Sequence, residues 1–171
     1  PRYYPHIGGV EYVVKSVAER LAKLGHEVTL LAGELSITKP KEEVFNGVRV
    51  VRWPIWSPGE AYHFPKKWGE LEKLLRGLAR DADVFHVHSV HSVFAVFSGL
   101  KVGKIMHNVK LVVTPHYHGS GHTTLRKLLW IYWRHKVLAL LGCADIIHAV
   151  SKREASLINA HYSQTCWKVV V

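Results

Sequence analysis

The chain has 171 residues, 48% of them hydrophobic, which suffices for one domain with a sizeable buried core. Its formal net charge is +10, from 23 Lys and Arg against 13 Asp and Glu, so anionic partners are favoured. No zinc-finger, RNA-recognition or helix-turn-helix pattern accompanies this charge, and we therefore expect no nucleic-acid partner.

The two cysteines, Cys143 and Cys166, lack the spacing of a disulfide framework or a zinc site and are typical of a reducing compartment. The N-terminus has no signal-peptide pattern, because Arg2 and His6 interrupt any apolar stretch. We expect a cytoplasmic protein, with peripheral contact at the inner face of the membrane as a further expectation.

A Gly8-Gly9 pair leads directly into an amphipathic helix. Its apolar face consists of Val10, Val13, Val14, Val17, Leu21 and Leu24. Two glycines allow positive φ and close approach, and the helix behind them presents free N–H groups, so the turn is predicted to bind an anion. Gly25 is predicted to end the helix.

The next segments predict a buried strand over Glu27–Ala32, a polar connection over 34–45, and a strand over Val48–Trp53. We place the last strand at a sheet edge because its arginines need solvent. The segment Pro54–Pro65 holds three prolines and several aromatics and is predicted to be an irregular loop.

Helices and strands alternate over the rest of the chain. The first predicted helix has Trp68, Leu71, Leu74, Leu75 and Leu78 on one face, and the strand Val84–His88, a helix over Ser89–Leu100 and the strand Leu111–Thr114 follow. A long helix from Thr123 or Thr124 then leads to the strand Ala144–Val150. The last elements are a short helix from Ser151, with Glu154 at capping-box spacing, and a strand over Trp167–Val171. This order predicts an α/β fold, a Rossmann-like doubly wound, mostly parallel sheet with helices on both faces. No strand precedes the Gly8-Gly9 turn, so we expect the native start to lie upstream.

Ligands of such sheets bind beyond the carboxyl ends of the strands. That rule selects the Gly8-Gly9 turn and the segments His86–His91, Thr114–Gly119 and Ser151-Lys152. The sequence therefore predicts a pocket made of these four segments.

Histidines two residues apart, at His86/His88 and His116/His118, could chelate a metal from one strand face. No nearby carboxylate or thiolate completes either set, so we expect no metal. Neutral imidazoles suit the recognition of sugar hydroxyls, since each can donate and accept a hydrogen bond. We interpret His148, and in part His86, as core histidines, and His88 and His116 as pocket residues.

The patterns G-x-G-x-x-G, G-x-x-x-x-G-K-[ST] and G-x-S-x-G do not occur, which disfavours dehydrogenases, P-loop NTPases and α/β-hydrolases. Five segments, in order, do form a familiar set: Pro1–Glu11, Leu24–Val28, Asp83–His88, Thr114–His116 and Ala144–Ser151. Together they resemble the N-terminal, acceptor-side domain of the retaining GT-B glycosyltransferases of family 4, across nearly the whole chain.

The resemblance implies transfer of a sugar from a nucleotide-sugar donor to a carbohydrate or lipid-linked acceptor, with no metal and no other cofactor. By the same resemblance, Gly8 and Gly9 face the donor diphosphate and His116 contacts the donor sugar as the catalytic residue. The acceptor or sugar-binding residues would be His88, Tyr117, His118, Gly119, Ser151 and Lys152. Residues 1–171 would form one domain without its first strand. The C-terminal donor-binding domain, with the family's glutamate pair, would be absent, and the chain alone nearly inactive.

Two alternatives stay open. A non-catalytic Rossmann-like module could bind a phosphate-bearing or polyanionic ligand through Gly8-Gly9, and an isomerase or epimerase relative of the GT-B enzymes is a third hypothesis.

The basic helix face and its aromatic neighbours could contact an anionic membrane or could be an ordinary solvated surface. The residues concerned are Lys66, Lys67, Lys73, Arg76 and Arg80, with Trp56 and Tyr62 nearby.

Overall fold

The computed structural model describes residues 2–6, 8–60, 62–105, 108–119, 124–163 and 168–171. The predictions that fall on Thr123, Cys166 and Trp167 lie outside the described residues. The chain divides into two compact units, Pro1–Leu71 with Ser92–Phe94, and Glu72–His91 with Ala95–Val171.

The helices are α1 (Gly9–Lys23), α2 (Trp68–Arg80), α3 (Val93–Ile105), α4 (Thr124–Cys143) and α5 (Lys152–His161). The strands are β1 (Thr29–Glu34), β2 (Lys41–Phe45), β3 (Val48–Trp56), β4 (Phe64–Pro65), β5 (Val84–His88), β6 (Lys110–Thr114), β7 (Ile146–His148) and β8 (Val169–Val170). The predicted α/β class with a parallel sheet and helices is confirmed.

The sheet of the first unit has the order β1-β3-β2, with β4 also paired to β3. Strand β1 runs parallel to β3, whereas β2 and β4 run antiparallel to it. The predicted edge position of the Val48–Trp53 strand is therefore wrong. The central position is tolerated because Arg52 is buried and pairs with Glu43 at 2.6 Å, whereas Arg49 stays exposed and pairs with Glu42 at 2.8 Å.

Strand β2 lies in the stretch that we expected to be a polar connection. Its charged residues Lys41, Glu42 and Glu43 resemble a polar connection in sequence, whereas in the fold Glu42 and Glu43 pair with arginines across the ladder. Asn46 and Gly47 make the hairpin turn, with φ of +49° and +79°, the positive pair that a type I′ turn requires.

The predicted irregular loop over Pro54–Pro65 is wrong at both ends. Strand β3 continues to Trp56, the 3₁₀ turn Pro58–Glu60 follows, and β4 returns to pair with β3. Pro54 fits inside β3 next to Glu34 of the parallel partner strand.

Helix α1 ends as predicted. Gly25 has φ of +91°, its N–H donates to the carbonyl of Ala22, and the N–H of His26 donates to the carbonyl of Leu21. Only Ala18 of this helix is buried, and Val17, Leu21 and Leu24 of the predicted apolar face are exposed. The first unit's core instead contains Tyr3, Ala18, Leu30, Ala32, Val48 and Val50.

The second unit carries the sheet β5-β6-β7-β8, in which every described pair is parallel. Its core includes Val87, Leu111, Val113, Leu140, Ile147 and Ile158. Helix α3 begins at Val93 rather than at Ser89. The reason is that Ser89 and Val90 donate their N–H groups to the carbonyls of Thr114 and Pro115 at 2.9 Å and so extend the ladder of β5.

Candidate functional site

The loops that follow β5, β6 and β7 lie at one edge of the parallel sheet of the second unit. His88 aligns with Thr114, and Val113 aligns with Ile147, so these three strands end nearly level. Three of the four predicted pocket segments therefore come together here. The fourth, Gly8-Gly9, belongs to the first unit.

Two predicted site histidines are in direct contact. His88 Nδ1 lies 3.2 Å from His116 Nε2, and the two rings stack with their centroids 5.5 Å apart. One of these two nitrogens donates and the other accepts, so the tautomers of the two rings are coupled.

Thr114 connects two further histidines. Its hydroxyl lies 2.7 Å from His86 Nε2 and 3.2 Å from His148 Nδ1, and the threonine is fully buried. Both histidines are exposed, so their interpretation as core residues is wrong, although each ring lies within hydrogen-bond distance of Thr114.

Burial keeps two histidines of this edge, His88 and His91, neutral near pH 7. It lowers the pKa of His91 to about 4, and neighbouring His118 and His116 contribute. Burial, with lesser repulsion from His86 and His116, lowers the pKa of His88 to about 2. Neutral rings can accept as well as donate a hydrogen bond, as recognition of hydroxyl groups requires.

His116 stands in the left-handed region, with φ of +50°. The next residue, Tyr117, is buried, and its N–H donates to Glu154 Oε1 at 2.5 Å. The Tyr117 hydroxyl lies 2.7 Å from His161 Nδ1, and its ring stacks on Trp130. Tyr117 thus packs inside the loop that presents His116, and its contact with an acceptor stays a prediction.

His118 is the exposed member of an aromatic stack. Its ring lies 4.6 Å from that of His91 at an interplanar angle of 18°, and His91 lies 5.0 Å from Trp130. Gly119 follows with φ of +101°, a conformation for which glycine is suited.

Ser151 and Lys152 begin α5 next to this edge. The hydroxyl of Ser151 accepts the N–H of Glu154 at 3.1 Å and caps the helix, and Lys152 is exposed. The predicted helix start at Ser151 is confirmed.

The Gly8-Gly9 turn differs from the prediction in its backbone. Gly8 is extended, with φ of −161°, and Gly9 is already the first residue of α1, so neither glycine uses positive φ. Glu11 folds back against Gly8, where its carboxylate meets the position of a Cβ. The space beside Gly9 is open, with nothing within 4 Å of a Cβ placed there.

A frame of charges holds the segment in front of this turn. Arg52 donates to the carbonyl of Tyr4 at 2.6 Å, and Glu34 lies 3.2 Å from His6 Nε2. Arg52 and Glu34 are both buried and lie 3.6 Å apart. Hydrogen bonds from the buried Arg52–Glu34 pair thus hold Tyr4 and His6 ahead of α1.

A comparison with protein-family models matches residues 7–171 to Glycosyltransferase Family 4. The chain belongs to Glycosyltransferase Family 4. The resemblance of the sequence to the N-terminal GT-B domain of this family is thereby confirmed. A search of the curated proteins finds no match.

Family membership implies a sugar donor and an acceptor in general terms, and it agrees with a site built from strand-end loops. In the described ranges no group of three or more His, Cys, Asp or Glu side chains is arranged to hold a metal ion. Among the helices that the structure describes, no segment combines the length and apolarity that a membrane span requires.

The basic helix face that suggested a membrane contact is largely compensated. Lys67 pairs with Glu70 at 3.1 Å, and Arg76 pairs with Glu72 at 2.8 Å. Arg80 lies 3.2 Å from the carboxylate of the next residue, Asp81. Trp56 is exposed and packs against Phe64.

Sequence reasoning missed the contact of Glu154 with the loop that follows β6. Its spacing from Ser151 indicated only a capping box, whereas its carboxylate reaches a loop 37 residues away in the chain. A local pattern carries no signal for such a contact.

Proposed function

We propose that this chain is the acceptor-side domain of a retaining, metal-independent glycosyltransferase that moves a sugar from a nucleotide-sugar donor to an acceptor hydroxyl. A donor-binding domain outside these residues would complete the enzyme. The observation that carries the proposal is the position of His116, held on a strained turn at the carboxyl end of β6 and stacked on the neutral ring of His88.

His116 would hydrogen-bond the donor sugar near the reacting carbon. Its proposed role is orientation and stabilisation of charge, because the leaving diphosphate would take the proton from the acceptor hydroxyl. The contact with His88 supports this role, since it restricts the ring that must meet the sugar.

Gly8 and Gly9 would receive the donor diphosphate. The first-turn N–H groups of α1 and the open space beside Gly9 support this assignment. Glu11 would have to swing away from Gly8 when the diphosphate arrives, because two anions cannot share this position.

The acceptor would lie along the loops of the second unit. His118 offers an exposed ring face, and His88 offers a neutral imidazole. Gly119, Ser151 and Lys152 would complete the contacts. A carbohydrate or lipid-linked acceptor fits this mixture of flat rings and hydroxyl-binding groups.

The test is a transfer assay on the protein expressed from its full gene, with a panel of nucleotide-sugar donors and sugar acceptors. We expect His116→Ala to lower kcat about 100-fold or more, as the loss of one preorganised donor does elsewhere. His135→Ala, an exposed histidine on α4, is the matched control and should keep full turnover.

Wild-type turnover by His116→Ala would remove this residue from the reaction. Tight binding of nucleotide sugars or other polyanions without any transfer would instead favour the non-catalytic binding module.

A further inference from the structure

The carboxylate of Glu154 joins two loops of the site. Oε1 accepts the N–H of Tyr117 at 2.5 Å, and Oε2 accepts the N–H of Val150 at 2.8 Å. Glu154 is 4% exposed and sits in the first turn of α5. One side chain therefore fastens the loop after β6 to the loop after β7.

This arrangement departs from a capping box. In a capping box the glutamate would accept the N–H of the N-cap residue, here Ser151. Glu154 accepts the N–H of Val150, the residue before the N-cap, instead, and its other oxygen accepts the N–H of Tyr117 in a distant loop. The helix start would need only the bond from the Glu154 N–H to Ser151, so the bond to Tyr117 serves the loop.

Both oxygens of Glu154 face N–H donors, which is the environment of an ionised carboxylate. Over the described stretches no lysine, arginine or histidine forms an ion pair with it. Backbone N–H groups and the positive end of α5 thus compensate the charge. Glutamine has the same size but only one oxygen, so it cannot accept both of these N–H groups.

The Tyr117 N–H belongs to the same peptide group as the His116 carbonyl. Its bond to Glu154 fixes the orientation of that peptide, and His116 holds a φ of +50° that non-glycine residues rarely adopt. The orientation of this peptide sets where the His116 ring lies relative to His88.

We propose that Glu154 is a positioning residue that holds His116 against His88 by tying the His116–Tyr117 peptide to the start of α5. The link to turnover rests on the proposed function of His116, whereas the geometric role does not.

The test compares Glu154→Gln with Ile158→Val and Ser156→Ala in the protein expressed from its full gene. Gln has the shape of Glu but replaces one acceptor oxygen by an NH₂ group, so it loses one of the two N–H bonds. Ile158 is fully buried on the same helix, and Ser156 is exposed there and bonds the carbonyl of Lys152. These controls perturb α5 and leave both bonds of the Glu154 carboxylate in place.

The first readout is the set of tautomer-sensitive ¹⁵N chemical shifts of the His88 and His116 rings. We expect Glu154→Gln to change them and both controls to preserve them. The second readout is kcat, which should fall about 10- to 100-fold, with a smaller change in KM, because a misplaced ring costs more in the transition state.

Unchanged ring shifts in folded Glu154→Gln would overturn the proposal. Changed shifts with unchanged kcat would support the geometric role and overturn the proposed function of His116, so the two failures are distinguishable. If Glu154→Gln does not fold, hydrogen exchange of the wild-type protein decides. A Tyr117 amide that exchanges as slowly as those of β6 supports the tether, and exchange at the rate of an open loop overturns it.

Discussion

The two units of this chain hold their functional loops by different physical means. In the first unit, Arg52, Glu34 and Glu43 fix the entry to α1 through ion pairs that are partly shielded from water. In the second unit, the His116 loop is held by the neutral ring of His88 and by one carboxylate that binds backbone N–H groups. The first arrangement depends on matched charges, and the second depends on His88 remaining unprotonated.

The largest expected effect tests the charge frame. Arg52→Met should destabilise the protein by about 3–5 kcal/mol, because it leaves buried Glu34 without its cation and the Tyr4 carbonyl without its donor. The control is Arg49→Met on the same strand, which removes an exposed pair with Glu42 and should cost about 1 kcal/mol or less. Urea unfolding measures the loss of unfolding free energy in both variants. Equal losses would show that the buried contacts of Arg52 stabilise the protein no more than an exposed ion pair does.

The next effect tests the neutral rings. An unfolded histidine has a pKa near 6.5, whereas burial lowers the pKa of His91 to about 4 and that of His88 to about 2 in the folded chain. As pH falls below 6.5 the unfolded chain binds protons that the folded chain does not bind, so the free energy of unfolding decreases. We expect a loss of about 2 kcal/mol between pH 7 and pH 5.5.

Unfolding free energies at the two pH values test this sign. His88→Gln should lose about 1 kcal/mol less over the same interval than the wild-type protein. Val84→Ala, at an exposed position of the same strand, should keep the wild-type dependence. A His88→Gln protein with the full wild-type dependence would contradict the assignment.

A smaller effect is expected from the N-cap of α5. Ser151 caps α5 through its hydroxyl, and Ser151→Ala should cost about 1 kcal/mol. Ser156→Ala, with an exposed serine further along the helix, should change stability by no more than about 0.5 kcal/mol. Thermal unfolding of the three proteins measures the difference, and a neutral Ser151→Ala would mean that the cap contributes nothing.

The smallest stability change is expected at Gly8. The N-cap position of α1 has no side-chain cap and an extended backbone that any residue can adopt, so Gly8→Ser should alter stability by only a few tenths of a kcal/mol. Its side chain would nevertheless crowd Glu11 and the proposed diphosphate position, so the donor KM should rise. An unchanged donor KM would exclude close approach of the diphosphate to Gly8.

The parallel half of the fold could be predicted because its signals are local. Strand Val84–His88 was placed to the residue, and the start of α5 followed from Ser151 and Glu154. Strand β2 could not be predicted because its glutamates are charged in sequence and find their arginine partners only when the hairpin forms. The burial of Arg52 could not be predicted for the same reason, since its partners lie on other strands.

The site was predictable at the level of segments and less so at the level of contacts. The strand-end rule identified the loops of His88, His116 and Ser151, and the structure brings them to one sheet edge. Positive φ occurs at His116, whose following peptide N–H bonds Glu154, and not at Gly8 or Gly9, for which the Gly-Gly pair predicted it. Such a tether is visible only in three dimensions.

The hydroxyl of Thr114 faces a ring nitrogen of His86 and another of His148, yet it owns a single hydrogen. It can donate to only one ring, so at least one of the two imidazoles must donate its own N–H to the hydroxyl oxygen. Valine would match threonine in shape but would leave both nitrogens facing a methyl group. Serine would keep the hydroxyl, so the bonds to the two rings depend on this group and not on the methyl group of threonine.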